Sequence, residues 1–161
     1  MLQVLLVTLF AIAMGYVEAA VVVYLRALYY PDGFPVPVKP GALPICFTRI
    51  PEFENRMPPN MLRTEMWREV ATIVMLVSLA VLVGSTPLQM LGVFLLAFGV
   101  WDIFYYVFLK LLIRWPESLK TLDVLFLIPV PWIGPVWLPV TVSAVMVVCG
   151  VWLIVGLLPP R

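Results

Sequence analysis

The residues best placed to do chemistry are two carboxylates set inside long apolar runs, Glu18 and Asp102, each followed eight positions later by a base, Arg26 and Lys110. They hold matching places in a repeated phrase. Gly15-Tyr16-Val17-Glu18 through Val23-Tyr24-Leu25-Arg26 is restated 84 positions on as Gly99-Val100-Trp101-Asp102 through Val107-Phe108-Leu109-Lys110. Phe10 with Phe94 and Ala13 with Ala97 carry the match backward, so it covers helix-length segments. An ionisable group at the centre of a bilayer costs roughly 2.5 to 3.5 kcal/mol on insertion scales, so two at one depth must face each other, a partner or water. A carboxylate pair in low dielectric shares a proton and can exchange it for a cation. Tyr106, one turn beyond Asp102, is a ready hydrogen-bond partner, and the bland reading of both acids is structural: polar contacts between spans, each worth about 0.6 kcal/mol.

A second group, Glu65, Arg68, Glu69 and Thr72, shares one helical face by its i, i+3, i+4, i+7 spacing, and Asp123 joins it from a later segment. With Arg26 and Lys110 it reads as a charged cytoplasmic mouth, as ordinary helix-end charges meeting headgroups, or as a seat for a lipid phosphate. Asp123, Glu65 and Glu69 also admit another chemistry, as acids, bases or Mg²⁺ ligands of a lipid- or isoprenoid-modifying enzyme, although they form no compact acidic motif.

Other chemistries drop out. Without His there is no imidazole for haem or zinc, and Ser78 and Ser143 lack the usual general base. No phosphate-cradling glycine loop and no CxxC occur, so neither a cofactor nor a metal is expected. Cys46 in a loop and Cys149 in an apolar segment are expected to stay unpaired. A net charge of +1 gives no reason to expect a nucleic-acid partner.

The elements that must position these groups follow from composition. Residues are 63% hydrophobic and 12% charged, against roughly 45 to 50% and 25% in a soluble domain, which indicates an all-α polytopic membrane protein. Leu2 to about Tyr30 is the first span, read as retained because it has no basic start and no cleavage site. Its Ala11, Gly15 and Ala19 make a small-residue ridge for close helix approach. Pro31 to Pro59 holds eight prolines in 29 residues and predicts an irregular loop over 31–60, lying on the membrane surface with Phe34, Phe47 and Phe53 in the interface. A second span opens at Leu62, capped by Asn60 or Thr64, and runs to about Gly84. After the Gly84-Ser85-Thr86-Pro87 turn, a third covers Leu88 to Ile113.

Leu122 to about Trp137 is interrupted by Pro129, Pro131, Gly134 and Pro135 and predicts either a short kinked span or a re-entrant hairpin. Leu138 to Leu158 is the last span. The expected architecture is therefore a single transmembrane domain over 1–161 with five spans, or four plus a re-entrant segment. The first and third spans form an internal parallel repeat about an axis along the membrane normal. Bases gather on the side of Arg26, Arg68, Lys110 and Arg114, which places the long loop in the cytoplasm and the N-terminus outside, in what reads as a bacterial inner membrane. Trp115, Trp132 and Trp137 read as interfacial belt residues.

A Glu in the first of about four short helices resembles the small multidrug resistance transporters. The likeness is that one residue and the general size; the long Pro-rich loop, the Asp102 counterpart and the broken segment depart from the pattern. The leading expectation is a small membrane protein that handles a proton or cation through Glu18 and Asp102, as a transporter or as the ion-handling subunit of a membrane complex. The alternatives are the lipid-modifying enzyme and a purely structural subunit. Expected partners are membrane lipid and, from the small-residue ridge, further copies of the chain or a larger complex.

Overall fold

The computed structural model describes residues 2–31, 45–47 and 56–156. Four helices in it are long and apolar enough to cross a membrane: α1 (Leu2–Tyr29), α2 (Pro59–Val83), α3 (Pro87–Ile113) and α4 (Trp137–Gly156). Three short strands complete it: β1 (Cys46–Phe47), β2 (Leu122–Phe126) and β3 (Trp132–Pro135). Most of the 31–60 loop, including Phe34 and Phe53, lies outside the described residues, as does the chain beyond Gly156.

The helices start and stop where local chemistry allows. α2 begins at Pro59, behind Pro58 and with no side-chain cap, because a proline in the first turn needs no partner for an N–H it lacks. The expected capping residues sit inside the helix instead, Thr64 donating to the Asn60 carbonyl at 3.0 Å. The Gly84 N–H closes α2 on the Ala80 carbonyl, and Thr86 accepts from the Gln89 N–H at 3.2 Å to open α3. α3 ends at Arg114, whose φ of 57° turns the chain out of the helix.

α3 is the centre of the bundle and packs against the other three helices. The ridge on α1 is buried as Val7, Ala11, Gly15 and Ala19, and a Cβ on Gly15 would stand 3.0 Å from the Trp101 carbonyl oxygen. On the other flank of α3, a Cβ on Gly99 would come within 2.6 Å of the Ser143 carbonyl oxygen of α4. The two glycines at equivalent places in the repeated phrase thus admit different neighbours, α3 for Gly15 and α4 for Gly99.

The segment 122–136 is neither a fifth helical span nor a kinked helix. β2 pairs antiparallel with β3, Asp123 opposite Gly134 and Val124 opposite Ile133, and β1 adds to the free edge of β3 through Cys46 opposite Ile133. The prolines explain the outcome: Pro129 and Pro131 fall in the connection and Pro135 at the strand end, positions where a missing N–H breaks no ladder. The β-branched and aromatic residues between them suit a pleated surface.

The bundle has two unlike halves. Apolar packing fills one, where Val7 and Ala11 meet Leu76, Ala80, Val93 and Ile154. The other half, closed by the three-stranded sheet, holds every charged side chain among the described residues, since none occurs in 2–17, 70–101 or 137–156.

Candidate functional site

Where the helices meet the sheet they enclose a cavity of about 120 Å³. One water needs only about 10–15 Å³ on the same measure, so there is room for several. Among the described residues, five carboxyls line it, Glu18 from α1, Glu65 and Glu69 from α2, Asp102 from α3 and Asp123 from β2, with two guanidiniums, Arg26 and Arg68. Glu18 and Asp102 each stand eleven residues before the end of their helix (29 − 18 and 113 − 102). At about 1.5 Å per residue, that places both roughly 16 Å from the sheet end.

The two acids face one cavity, yet they do not pair with each other. Glu18 is held by Arg68 across the α1–α2 contact, and the same guanidinium binds Glu65 through Nε at 2.7 Å. Asp102 accepts from the Ser143 hydroxyl of α4 at 2.7 Å. Tyr106 also departs from expectation: its hydroxyl donates to Asp123 at 3.2 Å rather than to Asp102. The reason is geometric, because β2 crosses the end of the bundle and brings a buried carboxylate over α3.

The sheet is tied to the helices at two points around the cavity. Asp123, 3% exposed, meets Arg26 of α1 at 3.6 Å in addition to Tyr106 of α3. Burial pushes its carboxyl up to about 6, against the Arg26 guanidinium and the Tyr106 hydroxyl, which hold it down. Arg26 in turn lies 3.8 Å over the Trp115 ring, so Trp115 supports a cation. On the opposite side, both carboxylate oxygens of Glu69 accept the Leu127 N–H, at 3.2 and 3.0 Å.

Counting partners singles out two acids. Glu18 and Glu65 share Arg68, and Asp123 has Arg26; Asp102 and Glu69 have no cation in ion-pair contact among the described residues. Sequence reasoning placed Glu69 at the rim and missed that distinction, because its partner is a main-chain N–H 58 positions away. It likewise dismissed Ser143 as a nucleophile without seeing it as a hydrogen-bond donor. Lys110 does not join the cavity: its amine donates to the Pro116 carbonyl at 2.7 Å and borders a separate, mostly apolar groove with Glu117 and Val140. The turn at Arg114 supplies the local acceptors, since the same amine also donates to the Arg114 carbonyl at 3.4 Å.

Among the described residues, no three Asp, Glu or Cys side chains converge as metal ligands would. Cys46 and Cys149 are free thiols. Comparison with protein-family models, with curated proteins and with solved structures finds no match to this chain.

Proposed function

We propose that this membrane protein handles a proton or a small cation in the cavity between its helices and its sheet, with Asp102 and Glu69 as the groups that exchange it. The observation that carries this reading is the charge balance. Among the described residues, five carboxyls against two guanidiniums leave 2 − 5 = −3 if all are ionised. A cavity half enclosed by apolar helices must offset that excess with bound protons or a bound cation. Glu18, the sequence's first candidate, is then a fixed partner of Arg68 that sets the field beside the exchanging pair. The distribution of bases, with no basic residue at the Gly84–Thr86 turn, supports an orientation with the sheet end in the cytoplasm and the N-terminus outside. Transporter and ion-handling subunit both fit. The lipid-modifying reading has less behind it, since Asp123 is engaged by Arg26 and Tyr106 and no metal-binding trio is present among the described residues.

The test is flux in proteoliposomes loaded with a pH-sensitive dye. Wild-type protein should carry protons or exchange them for a cation, while Asp102→Asn and Glu69→Gln, each verified as folded by circular dichroism and gel filtration, should lose at least tenfold. Wild-type rates in both folded variants would remove the proposal.

A further inference from the structure

We infer that the apolar groove between α3 and α4 at the sheet end is a binding site for one phospholipid with a phosphoethanolamine headgroup, its phosphate on Lys110, its amine on Glu117 and an acyl chain along the helices. The groove is separate from the cavity, and the inference does not depend on the proposed cation-handling role. It measures about 460 Å³, within the roughly 300–1,000 Å³ of small-molecule sites. Ile103, Val107 and Leu111 recur every four residues along α3 as one wall, and Val136 and Val140 supply the other from the opening of α4. The length suits an acyl chain. Ile103 stands ten residues before the end of α3 (113 − 103), about 15 Å by helix rise, which is the depth of one leaflet in a core about 30 Å thick. A chain laid along these residues therefore runs from headgroup level to the midplane.

The charges of the groove gather at its sheet end, Lys110 in the last turn of α3 and Glu117 just beyond the turn at Arg114. The Lys110 amine spends two donors on the Pro116 and Arg114 carbonyls, at 2.7 and 3.4 Å, and an ammonium has three. These carbonyls aim the charge without cancelling it. Among the described residues neither Lys110 nor Glu117 is in ion-pair contact, with each other or with any other group. An unpaired cation and an unpaired acid at the polar end of an apolar groove complement a headgroup that carries both a phosphate and a primary amine. Lys110 by itself would take any phospholipid; Glu117 repels an anionic headgroup and finds no N–H on a quaternary one. Tyr106 lines both the groove and the cavity, so the lipid would lie behind the wall that carries the Tyr106 bond to Asp123.

The experiment is native mass spectrometry on the purified full chain in detergent, titrated in turn with dioleoyl phosphatidylethanolamine, phosphatidylcholine and phosphatidylglycerol. Wild-type protein should retain one phosphatidylethanolamine and bind it roughly 5- to 10-fold more tightly than either of the others, the worth of one hydrogen bond. In Glu117→Gln that preference should shrink to within about twofold, and in Lys110→Gln all three lipids should weaken by roughly tenfold or more, with Lys110→Arg keeping them. Val107→Trp fills the groove from a position 40% exposed and should remove the adduct. Lys110 and Glu117 are exposed as well, so these variants should keep the wild-type fold, as gel filtration and circular dichroism check. Phosphatidylcholine or phosphatidylglycerol bound by wild type as tightly as phosphatidylethanolamine overturns the inference. So does an unchanged preference in Glu117→Gln, or wild-type affinity in Lys110→Gln or Val107→Trp.

Discussion

Ser143 of α4 and Asp102 of α3 are joined by a 2.7 Å hydrogen bond at the level where Gly99 lets the two backbones close. Ser143 itself is 1% exposed. Ser143→Ala should cost about 1–3 kcal/mol, the range for a buried acceptor that loses its partner. Thermal unfolding in a fixed detergent checks this, and Ser143→Thr, which keeps the hydroxyl, should recover part of the loss.

Gly99→Ala tests the same contact from the backbone side. The added Cβ would sit 2.6 Å from the Ser143 carbonyl oxygen, which belongs to a helix and cannot move alone. α3 and α4 must separate, at a cost of about 1–3 kcal/mol. A cysteine pair introduced across this seam and crosslinked by a short reagent should report the widening.

Arg68 carries two acids, and removing it strands both. Arg68→Gln should destabilise the fold by about 2 kcal/mol, between the ~0.5 of an exposed pair and the ~4 of a fully buried one. The double replacement Arg68→Gln with Glu18→Gln should be milder than the single change, because it no longer leaves Glu18 without its cation. A melting-temperature cycle over the four proteins measures the coupling; additive shifts would contradict the contact.

The sheet's docking should depend on pH through Asp123. Its carboxyl is raised to about 6 in the fold, against an ordinary value near 3.8. Between those values the folded state binds more protons than the unfolded one, so this group's contribution is complete below about pH 4 and is lost as pH rises through about 6. The groups facing it are Arg26 of α1 and Tyr106 of α3. Asp123→Asn should flatten stability against pH over this window, as read from melting temperatures at half-unit steps.

Glu69 fixes the other side of the sheet. In hydrogen–deuterium exchange, the Leu127 amide of the wild type should be protected, and in Glu69→Ala it should exchange at least tenfold faster, with α4 unchanged. Equal rates would mean that the Leu127 amide is protected without its bond to Glu69.

The helices were legible because each is a long apolar run bounded by turn residues, and the small-residue ridge on α1 announced a close helix approach without saying that α3, rather than another copy of the chain, makes it. The 122–136 segment was not. Its hydrophobicity matches a span, and only pairing between residues such as Val124 and Ile133 makes it a sheet. The pairs Pro129/Pro131 and Gly134/Pro135, flanking β-branched and aromatic residues, are the signal that favoured strands. The site was half legible. Intramembrane acids announce themselves by their cost, so Glu18 and Asp102 stood out at once. Their partners did not, because Arg68 and Ser143 lie 50 and 41 positions away and reach them through packing that no local spacing records. Lys110 was assigned by analogy with Arg26, and the analogy failed where the chain after Ile113 turns back to offer carbonyls.

Among the described residues, the unlike halves of the bundle give it a charged end and an apolar end. The apolar end, where Leu76, Leu96 and Ile154 interlock, is a stopper with no charged group to lead an ion onward. Under the proposed function, an ion that enters beside the sheet meets that stopper, and passage to the far side demands a second arrangement in which it loosens. The seams at Gly15 and Gly99, where an added Cβ would meet the facing backbone, are contacts that such a rearrangement has to keep or break.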